Sequence, residues 1–377
     1  MKVQHLLGIL LGCVLFTGYY LDRKSTLKNH ATTDTQIAGK TGTLVVFSGI
    51  EFPSARTTAD EDLEIVMIDL YERVNPGYTK GLIELDDRVR FYIEDRSQRN
   101  IEGYETLYYE AEKDNLHKWE LKGKVNVEDY DGKDLKHGNA PVIRKLNGEI
   151  WGWQAMSGGI AILKTDDGIN FKFHDQAFHG EVDGMTNISY HEETEHYYIY
   201  SRNRSFDGVD RRGINVWSED TIEPDFDFEQ TIDPMDLFDY SGNSIYDIYD
   251  IFGIPQKDGS MKLISNIFWK ERERFVDYKN GRNTGPIYPV FLKADNQRLD
   301  NLRIEKKLSV IPLEPFERIH PNPKATGGGK NEVGQIYCNS YLELDDVELF
   351  GFMVSEDTHY EPYDGFKKAF GIYIKPK

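Results

Sequence analysis

The feature that most constrains this chain is a unit that recurs five times between Gly42 and the C-terminus. Each copy reads as a strand, a tight polar turn, a second strand, a loop, a third strand that often ends in Asp, and a short outer strand. The clearest copy runs from His179 to Trp217. There, apolar and aromatic residues alternate with polar ones over Thr186–Tyr190, His196–Ser201 and Gly213–Trp217, and Phe226–Gln230 follows as the outer strand. The first copy gives Gly81–Glu84, Val89–Ile93, Thr106–Glu112 and Trp119–Lys122; the second gives Pro141–Lys145, Ile150–Gln154, Gly159–Lys164 and Asn170–Phe173. The fourth gives Ile251–Pro255, Met261–Ile267, Ile287–Lys293 and Asn301–Lys306. The fifth gives Gln335–Leu342, Val347–Val354 and Phe370–Lys375, and then the chain stops without an outer strand.

An orphan strand, Thr43–Phe47, is available to complete that last unit. Closing a ring in this way removes an exposed edge and ties the chain ends together. The expectation is therefore an all-β, five-bladed β-propeller over residues 42–377, its last blade closed by an N-terminal strand. A β-sandwich of about a dozen strands is the rival, but it does not account for the matching order inside the units. Asp62–Tyr71 reads as a helix or an extra strand ahead of the first blade. The aromatic content of 13%, with 23 Tyr and 20 Phe, agrees with β structure. The Asp residues that close third strands (Asp114, Asp167, Asp220 and Asp295) read as turn chemistry, because they repeat with the fold.

The net charge of −19, without any sizeable Lys/Arg cluster, argues against a nucleic-acid partner. Of the two Cys, Cys13 lies in the N-terminal apolar run and Cys338 stands alone in the body, so the body has neither an intrachain disulfide nor a thiolate zinc cluster. Leu6–Leu21 carries no charge, which marks residues 1–24 as a signal peptide or membrane anchor and residues 25–41 as a polar linker. Arg23, Lys24 and Lys28 place more positive charge after the run than before it, which opposes export. The expectation remains an extracytoplasmic body, secreted or held at the membrane through the N-terminal segment alone.

In a propeller the innermost strands line a central channel, and ligands sit where the connections from the preceding blades arrive. The residues just before each inner strand are then the candidates. They include His179, Glu181 and Asp183 in blade three, Tyr246, Asp247, Tyr249 and Asp250 in blade four, and Lys330, Glu332 and Gln335 in blade five. Carboxylates thus converge on one mouth, and two carboxyls ~5–10 Å apart can split a glycosidic bond. Asp183 and Asp247 are the expected catalytic pair. Glu181, Arg202, Tyr249, Trp153, Glu332 and His359 are the expected substrate contacts, with Arg202 suited to clamping an anionic group. Each has a plainer reading: Asp183 as a turn cap, Arg202 as an ordinary salt bridge, Trp153 as core, His359 as a structural histidine. No GxSxG, HExxH or GxGxxG motif occurs, and Gly327–Lys330 lacks the spacing of a phosphate loop.

Four places resemble the five-bladed glycoside hydrolases, the group that includes families 32, 43 and 117. They are residues 158–172 (GGIAILKTDDGINFK), residues 181–203 (EVDGMTNISYHEETEHYYIYSRN), residues 211–230 (RRGINVWSEDTIEPDFDFEQ) and the later strands at 285–296 and 347–360. The resemblance covers about residues 80–377. It implies an oligo- or polysaccharide substrate, Asp183 and Asp247 as inner-mouth acids, and Arg202 on the site side. The early-blade acid of that group has no clear counterpart, since Asp60, Glu61, Asp62 and Asp86 match poorly. A non-catalytic propeller that binds glycan or protein is the alternative. No cofactor is expected, and a structural Ca2+ in the channel is compatible with the architecture.

Overall fold

A computed structural model describes residues 64–68, 76–96, 104–128, 140–156, 159–179, 186–192, 194–206, 209–222, 226–237, 244–271, 276–277, 282–283, 287–309, 335–355 and 368–377. The chain divides into Met1–Ile37 and Ala38–Lys377, and all described residues lie in the second unit. The expectations placed on Thr43–Phe47 and on the N-terminal apolar run fall outside the described residues. Among the described residues no helix is long and apolar enough to cross a membrane.

The architecture is a five-bladed β-propeller. Blade one is Pro76–Glu84, Arg88–Asp95, Glu105–Glu112 and Glu120–Lys124, all antiparallel neighbours. Blade two is Val142–Leu146, Glu149–Met156, Gly159–Thr165 and Asn170–His179, with the short strand Asn126–Val127 parallel to its outer edge. Blade three is Thr186–His191, His196–Phe206, Val209–Glu219 and Asp227–Ile232. Blade four is Ser244–Pro255, Met261–Glu271, Ile287–Ala294 and Arg303–Ser309. Blade five is Gln335–Glu343, Val347–Ser355 and Lys368–Pro376, with Glu64–Ile68 paired antiparallel to the last of these. The only helix described is one turn, Pro234–Leu237.

Strand alternation explains why these blades form a ring. Successive side chains of a strand point to opposite faces, and each blade has a neighbour on both faces. The Phe91 and Ile93 side chains of blade one pack with Tyr337, Leu349 and Phe370 of blade five, whereas Tyr92 packs with Ile143, Leu163 and Phe171 of blade two. Trp151 and Trp153 join Ile188, Tyr197 and Ile199 between blades two and three. Tyr198 and Tyr200 turn the other way, to Ile248, Ile251 and Leu263 of blade four. Phe291 of blade four meets Phe350 of blade five at 6.0 Å between ring centroids, and the ring is complete. Segments such as Tyr197–Tyr200 are aromatic or aliphatic at every position because both faces are buried.

The turns follow local chemistry. Asn147 and Gly148 both have positive φ (49° and 80°), the geometry of a tight two-residue hairpin that favours this residue pair. Asp167 accepts from the backbone N–H groups of Ile169 and Asn170, each at 2.8 Å, and Asp295 accepts from Arg303 at 2.8 Å, as expected of turn residues.

Candidate functional site at the loop-side mouth

The inner strands of blades one to four are sheet edges, that of blade five pairs with blade four only at Gln335 and Ile287, and the inner strands gather around the axis. An edge presents unpaired backbone groups, and a buried one must find partners. Here side chains supply them. Arg144 donates to Lys80 O (3.2 Å) of blade one, Ile143 O (2.9 Å) of its own blade, and Asn187 Oδ1 (3.0 Å) of blade three. It also donates to Asn339 O (2.8 Å) and Asn339 Oδ1 (3.0 Å) of blade five, and its guanidinium lies 5.3 Å from the Phe252 ring centre of blade four. A group that touches all five inner strands sits on the axis. Asn187 Nδ2 donates to Ile251 O (3.0 Å), and the bulged backbone N–H of Asn339 donates to Thr79 Oγ1 (3.1 Å). Burial pulls the Arg144 guanidinium down to about 10.

From this level towards the start of the inner strands, three of those strands bulge or slip register: Pro76–Gly81, Ile248–Asp250 and Cys338–Ser340. A bulge re-aims side chains, and bulges recur beside working sites. Tyr249 occupies the blade-four irregularity. Its hydroxyl is 3.0 Å from that of Tyr78, and its ring lies beneath Arg202 at 4.6 Å and near Arg212 at 5.7 Å. Arg202 also donates to Tyr249 O at 3.5 Å. Asp247 is fully buried and pairs with Arg212 at 3.6 Å. Arg202 and Arg212 thus both lie on Tyr249, and Arg212 links it to Asp247.

A second tier lies beside it. Asp250 accepts from the Tyr337 hydroxyl and from Asn266 Nδ2 (2.5 Å). Burial raises its carboxyl to about 6, against the lowering effect of those two bonds and of Arg202 and Arg144. Burial together with Asp250 pushes the Tyr337 hydroxyl well above the usual phenol range. On blade one, Glu94 is buried between Lys80 (2.8 Å) and Arg96 (2.5 Å). Burial would raise the Glu94 carboxyl, but the two cations outweigh it and bring it down to about 2. Arg96 also stacks on Tyr78 at 4.7 Å.

Two expectations about blade four and blade two are corrected. Tyr246, Asp247, Tyr249 and Asp250 do not precede the inner strand; they are part of it, since the strand begins at Ser244. Trp153 does not face the mouth. It is 1% exposed and fills the core between blades two and three, because the alternation that sends Gly152 towards Phe171 sends Trp153 the other way. Asp183, Glu181, Glu332 and His359 fall outside the described residues. Tyr78, Lys80, Glu94, Arg96 and Tyr337 were not expected at the site. Alternation gives no signal for the first two, because the blade-one strand, which begins at Pro76, slips register between Pro76 and Gly81. Among the described residues no group of three or more His, Cys, Asp or Glu side chains is placed to hold a metal ion.

Fold and mouth define the class: a five-bladed propeller with charged and tyrosine side chains at one end of its channel. No protein-family model matches the chain, and no curated protein matches it in sequence. Solved structures similar to it in fold include the catalytic domain of a GH62 α-L-arabinofuranosidase from Coprinopsis cinerea (TM-score 0.49, 9% identity, 82% of this chain and 94% of that one). Another is the GH93 α-L-arabinofuranosidase of Fusarium graminearum with arabinobiose (TM-score 0.48, 12% identity, 83% and 97%). A third is an endo-arabinase from Bacteroides thetaiotaomicron (TM-score 0.47, 11% identity, 83% and 96%).

Proposed function

We propose that this propeller is a glycoside hydrolase that works at the loop-side mouth, with Asp183 and Asp247 as its carboxylate pair. The observation that carries the reading is Asp247, a fully buried carboxylate at the mouth end of an inner strand, 3.6 Å from Arg212. Glycosidic cleavage needs one carboxyl that yields a proton and one that stays ionised across the bond. Asp250, three residues on in the same strand, is raised to about 6 by burial. Arg202, Arg212 and Tyr249 would position the sugar, by hydrogen bonds from the guanidinium groups and by the ring face. The N-terminal apolar run supports a location outside the cytoplasm.

One observation favours the non-catalytic alternative: Asp250 directs its acceptor capacity to Tyr337 and Asn266, which bind blade four to blade five. The deciding experiment is an oligosaccharide panel incubated with the full-length protein and with Asp183→Asn and Asp247→Asn. Product release by the wild type that drops at least ~1,000-fold in both variants, with unchanged melting temperatures, supports the hydrolase. Binding without turnover by the wild type overturns it and leaves a lectin-like propeller.

A further inference from the structure

At the hairpin end of the channel lies an open cavity of about 1010 Å³ lined from all five blades. Its floor is Arg144, whose N–H groups are already engaged by blades one, three and five. The wall mixes apolar groups, such as Phe252 and Ile254, with polar ones, such as Ser189 and His191. Two half-buried tyrosines stand on opposite sides. The Tyr190 ring rests on Tyr197 at 4.7 Å, and Tyr341 rests on Phe350 at 5.1 Å while its hydroxyl contacts Glu348 at 2.9 Å.

These contacts hold both rings in place before a ligand arrives, which lowers the ordering cost of binding. The rim carries both signs of charge, and part of it is already spent. Glu84 pairs with Lys113 at 2.6 Å, Glu343 with Lys377 at 2.8 Å, and Lys145 donates to Glu84 O at 3.2 Å. No single-sign field remains to select a polyanion or a polycation. The left-handed turn places Asn147 on the rim, which Glu192 and Lys257 also line. Fixed ring faces, amides and short-range charges of both signs suit a ligand with apolar faces and many hydroxyls. The volume stands at the top of the ~300–1,000 Å³ range of small-molecule sites, enough for several linked rings.

We propose that the hairpin-side cavity is a second binding site, for a neutral oligosaccharide, with Tyr190 as a stacking platform. The site does not depend on chemistry at the loop-side mouth. The test is calorimetric titration of the full-length protein with neutral tetra- to hexasaccharides of arabinose, xylose and glucose, in wild type and in Asp247→Asn. The expected result is binding in both, weakened about tenfold by Tyr190→Ala and unchanged by Tyr190→Phe. Should Tyr190→Ala not fold, Glu192→Lys on the rim is expected to weaken binding several-fold. Absence of binding by every oligosaccharide overturns the inference. So does binding that neither Tyr190→Ala nor Glu192→Lys alters, since that places the ligand elsewhere. A wild type without turnover that still binds in this manner removes the hydrolase reading and leaves the second site standing.

Discussion

Replacing Arg144 with Met asks how far one side chain ties the five inner strands together. Arg144 donates five hydrogen bonds, to acceptors on blades one, two, three and five. Bonds from a charged donor contribute ~1.5 kcal/mol each at the low end, or about 7.5 kcal/mol together. Against this stands the burial of the cation, which lowers its pKa from 12.5 to about 10. That displacement corresponds to roughly 3 kcal/mol, which the Met variant no longer bears. The expected net loss is about 4 kcal/mol, within the range for breaking a buried charged network. Urea unfolding of the full-length protein measures it, with the slope of the transition checked for constancy. Arg144→Lys keeps the charge, but a single ammonium cannot span acceptors on four blades, so about half the loss is expected. A Met variant within ~1 kcal/mol of wild type would refute the reasoning, and would assign closure of the ring to packing between blades alone.

Other expectations follow from the same site. Asp250 has a folded pKa of about 6, above its unfolded value of ~3.9. The folded state therefore binds more protons between these values, and stability should fall as pH rises through that window. Asp250→Asn should abolish that slope in denaturation curves taken from pH ~4 to ~7. Glu94 behaves oppositely: its pKa of about 2 lies below the unfolded ~4.3, so its contribution is full above that value and is lost as pH falls towards 2. Glu94→Gln should flatten the acid limb of a stability–pH curve, and an unchanged limb would place the acid sensitivity elsewhere. At Gly253 an added Cβ would stand 2.4 Å from the Tyr200 hydroxyl and 3.0 Å from Met261. Gly253→Ala should cost ~1–3 kcal/mol, and most of this should be recovered in a Tyr200→Phe background, as read by a double-mutant cycle.

The order of strands was legible because it rests on local patterns that tertiary contacts reinforce. Alternation over Val89–Ile93, the Asn147–Gly148 turn and the Asp167 turn each specify geometry within a few residues, and all three agree with the ring. Which blade a residue faces was harder to read. Strands buried on both faces do not contrast apolar with polar, so the pattern around Trp153 favours core without excluding a platform. The ring decides it, because Trp153 shares a face with Trp151 and both meet Ile188 of the next blade. The last blade shows the same limit. Glu64–Ile68 pairs with the final strand, yet its sequence alone admitted a helix, since five residues carry too little period to choose.

The site was less legible than the fold for a specific reason. Sequence reading ended the inner strands where regular alternation fails, at Gly81 and Ile251, and treated the residues before them as loop. The structure continues both strands through irregularities, to Pro76 and Ser244. Alternation fails there because a bulge changes which face each residue takes. The same irregularity brings Tyr249 of blade four onto Tyr78 of blade one, across the axis from its own neighbours in sequence. Loss of pattern and convergence of polar side chains thus have one cause. In a propeller sequence, a charged or tyrosine residue just upstream of an evident inner strand is better read as that strand bent towards the channel. On this basis Tyr78 belongs with Tyr249, and Arg144 lines the cavity at the hairpin end of the same channel.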